Sequence, residues 1–128
     1  LGIFTQDEYL SATVRPEGGI GVAVLPRLSN VNAGDNVSLA IKIVSTENFD
    51  DVFHVYLTTD GIPVGYEANL SWFNWTETYV EIPSRGEAVI PLRASIPAGV
   101  SGYKAFRAVV ESTKWGPTAF DSGIFSIS

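Results

Sequence analysis

His54 is the only histidine in the chain, and there is no cysteine. One imidazole cannot build a His-rich zinc site, and without a thiol there is no cysteine nucleophile. No Gly-x-Ser-x-Gly turn presents a serine for acyl transfer. Fourteen acidic residues leave room for a carboxylate pair of the kind that hydrolyses glycosides, yet no motif frames one. Asp50-Asp51 with Asp60 supplies hard oxygen donors that suit a calcium ion. They lack the Asp-x-Asp-x-Asp spacing of a binding loop, so no metal and no cofactor are expected. Catalysis is therefore not the expected role.

The remaining chemistry is that of contact. Trp72 and Trp75 fall in the densest aromatic cluster, Trp72-Phe73-Asn74-Trp75. They serve either as core under a loop or as a platform on which sugar rings stack. Asn36, Asn69 and Asn74 each open an Asn-x-Ser/Thr sequon, the acceptor sequence for N-linked glycans in exported proteins. A net charge of −6 argues against nucleic acid and anionic membrane as partners, because phosphate binding is driven by Lys and Arg. No stretch approaches the apolar length of a membrane span. The chain has no methionine and reads as a processed product or a fragment; a signal peptide or anchor removed ahead of Leu1 would account for this, and so would an artificially chosen start.

These residues must be positioned by strands. Val37, Leu39, Ile41 and Ile43 alternate with Asn36, Ser38, Ala40 and Lys42, the period of two of a half-buried strand. The same grammar runs from residue 20 to the C-terminus, broken every 8–12 residues by Gly, Pro and Asp. Phe53, Val55 and Leu57 oppose Val52, His54 and Tyr56, so 52–58 reads as a central strand with both faces bulky. Residues 20–28 read as one strand, with Pro26 at its edge or end. Residues 69–75 read as a short aromatic strand or loop. An apolar fraction of 45% over 128 residues supports one packed domain. The expectation is an all-β, antiparallel immunoglobulin-like β-sandwich of about eight or nine strands. Residues 1–19 stand apart as an N-terminal segment ending in the Arg15-Pro16-Glu17-Gly18-Gly19 hinge; residues 20–128 form the sandwich.

Two linked stretches carry a resemblance. Ala33-Gly34-Asp35-Asn36-Val37-Ser38-Leu39 opens one strand. Ile82-Pro83-Ser84-Arg85-Gly86-Glu87 and Ile96-Pro97-Ala98-Gly99-Val100-Ser101-Gly102-Tyr103 open two more. This resembles the immunoglobulin-like CARDB and NEW3 modules of archaeal and bacterial cell-surface proteins, over roughly residues 30–112. Gly2-Ile3-Phe4-Thr5-Gln6-Asp7-Glu8 is similar to the mature start of TasA and camelysin-type subunits, and through them to archaeal bundling pili and threads. It departs from that pattern after Glu8.

The resemblance implies an extracellular structural subunit of a cell-surface filament. In such filaments the N-terminal segment of one subunit is donated as a strand to the next. Leu1, Ile3, Phe4, Tyr9 and Leu10 would then be the buried side chains of the donor, and the partner would be another copy of the chain. An ordinary first strand paired within its own domain is the alternative for residues 1–14. Two other functions stay open: a soluble adhesion or S-layer-binding domain of an archaeal surface or motility protein, and a carbohydrate-binding module using Trp72 and Trp75.

Overall fold

The computed structural model describes residues 19–114 and 116–128. The donor-strand residues named above, Leu1, Ile3, Phe4, Tyr9 and Leu10, lie outside them. Among the described residues eight strands follow in order: β1 (Ile20–Leu25), β2 (Leu28–Val31), β3 (Asn36–Ser45), β4 (Asp51–Thr58), β5 (Glu77–Ile82), β6 (Glu87–Ser95), β7 (Gly102–Ser112) and β8 (Thr118–Ile127). They form two sheets, β1-β3-β6 and β2-β8-β7-β4-β5.

Alternation decides which side chains enter the space between the sheets. From the smaller sheet come Ile20, Val22 and Val24, then Val37, Leu39, Ile41 and Ile43, then Leu92 and Ala94. From the larger come Phe53, Val55 and Leu57, Phe106, Ala108 and Val110, and Phe125 and Ile127. Phe73, Phe106 and Phe125 meet at ring-centroid distances of 4.7, 6.1 and 5.8 Å. Gly123 makes this cluster possible. A Cβ there would come within 2.7 Å of the Phe106 ring, closer than packed carbons approach.

The structure departs from the sequence reading in three places. Residues 20–28 are not one strand. The Leu25–Pro26 bond is cis, and after it the chain passes to the other sheet, so β1 pairs with β3 while β2 pairs with β8. That second pairing is parallel, while the other strand pairs among the described residues are antiparallel. Residues 69–75 form neither a strand nor a plain loop. Asn69 caps a 3₁₀ turn over Leu70–Trp72 by accepting from the Ser71 N–H at 2.9 Å. Phe73 then makes an isolated bridge to Ala94 on the outer edge of β6.

Candidate interaction face

The outward positions of the five-stranded sheet carry the most unusual surface. On β8 they are Phe120, Ser122 and Ile124; on β7, Tyr103, Ala105, Arg107, Val109 and Glu111; on β4, His54 and Tyr56. These line up by register as Ile124↔Ala105, Ser122↔Arg107, Val109↔Tyr56 and Glu111↔His54. Where β4 ends, residues 66–68 take its place beside β7, with Ala105 N–H donating to Tyr66 O at 2.7 Å and Ala68 N–H to Ala105 O at 2.9 Å. The turn before them needs Gly61, whose φ is +83° and whose missing Cβ leaves room for the Arg107 guanidinium.

One end of this face is apolar. Leu28, Tyr66, Tyr103 and Ile124 are each 40–60% exposed and line a shallow depression of about 600 Å³ with Ile62 and Pro63. Such a contiguous patch is the ordinary mark of a contact surface. Arg107 borders it, its guanidinium 4.5 Å from the Phe120 ring centroid, a cation–π pair that holds the charge against the sheet.

The other end is polar and aromatic. His54 on β4 lies between Glu77 on β5, at 3.6 Å from Nε2, and Glu111 on β7, at 3.4 Å from Nδ1. Tyr79 stacks on the imidazole at 4.7 Å and Tyr56 flanks it at 5.0 Å.

A third group is buried at the β3–β4 connection. Glu47 and Asp51 are both almost completely enclosed. Burial pushes the Glu47 carboxyl up to about 7, helped by the neighbouring Asp51, with Lys114 opposing. As a carboxylate, Glu47 would find no donor for either oxygen. Protonated, it donates to Asp51. Burial pushes Asp51 up as well, but hydrogen bonds from Ser112, Glu47 and the Val52 N–H, with Lys114 nearby, outweigh it and hold Asp51 below its usual range.

The structure separates the proposed calcium ligands. Asp51 opens β4 and Asp60 follows its other end, and the eight residues of this strand put its ends roughly 23 Å apart. Asp50 is committed elsewhere, its Oδ1 accepting from the Ser84 N–H at 2.9 Å. No group of three metal-ligating side chains occurs among the described residues. Trp72 and Trp75 are half-buried against the core, and the Trp75 Nε1–H donates to Pro91 O at 2.9 Å. Asn36, Asn69 and Asn74 are all exposed. Their Oδ1 atoms accept from the Ser95 hydroxyl (2.8 Å), the Ser71 N–H (2.9 Å) and the Arg93 N–H (2.9 Å). Those bonds leave Nδ2, the atom that carries an N-linked glycan, outside them. Among the described residues no helix is long and apolar enough to cross a membrane.

No protein-family model matches the chain, and no curated protein matches it. Solved structures do. PapD-like domain 7 of human CEP192 aligns with a TM-score of 0.57 at 13% identity, covering 98% of this chain and 97% of that one. A family 123 glycoside hydrolase from Clostridium perfringens aligns at 0.56 and 11% identity over 85% of this chain, which spans only 27% of the hydrolase. The apo Calx CBD1 domain aligns at 0.50 and 7% identity, covering 86% and 98%. At these identities the likeness shows the fold: an immunoglobulin-like β-sandwich.

Proposed function

We propose that this chain is an extracellular structural subunit that assembles into a cell-surface filament by strand addition, with no catalytic role. The observation that carries the proposal is the outer edge of β1. Val24 N–H points away from β3, since it donates to Asp121 Oδ2 at 2.8 Å. By the alternation of an antiparallel ladder, Ile20 and Val22 point the same way. No partner for their N–H and C=O groups is found among the described residues. Residues 20–24 are nonetheless buried as side chains. An extended apolar segment added here would satisfy the main chain and extend the core, the physics of β-augmentation. Residues 1–14, with Leu1, Ile3, Phe4, Tyr9 and Leu10, supply such a segment in sequence. Donated head to tail they would build an open chain of subunits. The motifs similar to CARDB and NEW3 modules and the three exposed sequons support a place outside the cell.

A second reading, a soluble adhesion or S-layer-binding domain, is favoured by the apolar patch of Leu28, Tyr66, Tyr103 and Ile124. Size-exclusion chromatography and negative-stain imaging of the full chain and of a chain lacking residues 1–14 separate the two. Filaments from the full chain and monomers from the truncated one are expected. Filaments from both would refute strand donation, and monomers from both would leave the adhesion reading.

A further inference from the structure

We propose that the His54–Tyr56–Tyr79 cluster, with Glu77 and Glu111, is a receptor site for a basic side chain, arginine foremost, presented by a partner protein. This is independent of how the domain assembles.

The site is composed by the sheet. The register sets His54 beside Tyr79 and Glu111, and Tyr56 beside Glu77, so residues from three strands converge although they are far apart in sequence. They border an open cavity of about 540 Å³, also lined by Leu70, Ser71 and Thr76. None of its lining residues is a Lys or Arg. Among the described residues the only ion-pair partner of either glutamate is His54 itself. Elsewhere the structure balances such charges: Lys42 pairs with Glu87 at 3.2 Å and Arg27 with Asp121 at 3.0 Å. With no Lys or Arg among the lining residues, the two half-exposed carboxylates concentrate negative charge on a chain whose net charge is −6.

What complements this is a cation with an apolar stem. A guanidinium offers planar donors to two carboxylates at once, and its flat face stacks on an aromatic ring. Tyr56, Leu70 and the exposed Tyr79 supply apolar surface for the methylene stem and the ring face. Neutral sugars would find the rings but would not draw on the doubled charge. A metal ion is disfavoured because His54, Glu77 and Glu111 are not gathered closely enough to form a ligand set.

The test is a titration of the full chain with capped arginine amide and capped lysine amide, followed by the Tyr56, Tyr79 and His54 ring resonances in NMR. Capped citrulline amide and methyl glucoside serve as neutral probes. Saturable shifts confined to those rings are expected, with dissociation constants of order ~1 mM, arginine tighter than lysine. E77Q and E111Q should each weaken arginine binding several-fold, and the double variant at least tenfold, with unchanged far-ultraviolet circular dichroism. Absence of saturation by either cation would overturn the proposal. So would citrulline or glucoside binding as well as arginine, or E77Q/E111Q binding arginine undiminished.

Discussion

Replacing Glu47 with glutamine should stabilise the domain at alkaline pH and leave it little changed near pH 5. The carboxyl is held at about 7 in the folded chain against 4.5 when exposed. A raised value means that the folded state binds the proton more tightly. Its contribution is therefore complete below pH 4.5 and is lost as pH rises through 7. At 1.36 kcal/mol per decade, ionising this buried group removes about 3 kcal/mol by pH 8–9. Asp51 works in the opposite direction. Its lowered value gives stability that is present above about 3.8 and lost as pH falls towards its folded value. The native chain should thus be most stable between about pH 4 and 5 and soften on both sides. Glutamine keeps the shape and can donate an N–H to Asp51, but it cannot ionise. Thermal unfolding followed by tryptophan fluorescence at pH 5 and pH 8 reads this directly. At about 3–5 °C per kcal/mol for a domain of this size, E47Q should melt roughly 10 °C above the native chain at pH 8. A native melting temperature that is flat from pH 5 to 8 would refute the reasoning. So would an E47Q variant that loses as much stability as the native chain at pH 8.

Two further substitutions probe the packing and the edge. Gly123→Ala should cost about 1–3 kcal/mol, because its Cβ would meet the Phe106 ring at 2.7 Å; chemical denaturation with an unchanged m-value checks it. Asp121→Ala removes the acceptor of Val24 N–H and the partner of Arg27, so amide exchange at Val24 should rise by at least tenfold, and loss of about 1–2 kcal/mol of stability is expected.

The strands were legible wherever alternation ran long enough to be counted. In β3 the alternation read from sequence is the burial alternation of the structure, and the strand read as central from its two bulky faces is β4, which lies between β7 and β5. The passage at Pro26 was not legible, because Leu28–Val31 is too short to show a period and a proline marks an end without saying where the chain goes next. The buried Glu47–Asp51 pair was hidden for another reason. Thr46 to Asp51 is polar in sequence, and contacts with Ser84 and Arg85, more than thirty residues away, and with Ser112 and Lys114, more than sixty away, enclose it. Glu77 and Glu111 likewise carry no local signal. Strand register alone brings them to His54, so the face was readable from the sequence and its partners were not.

The four sheet edges explain why β1 bears the assembly proposal. A bare strand edge invites pairing, and folded chains blunt it with charge, shortness or cover. The edge of β6 is covered: Asn74 exchanges two bonds of 2.9 Å with Arg93, and the Trp75 indole caps Pro91 O. The edge of β5 carries Glu77 and Glu81, and β2 is only four residues long. β1 has neither charge nor brevity, with Ile-Gly-Val-Ala-Val along it. Among the described residues its protective contact is Asp121 at Val24, which closes the end nearest Pro26 and leaves the stretch around Ile20 and Val22. That bare stretch is the Ile20 end of β1, the end nearest in sequence to the segment proposed as the donor.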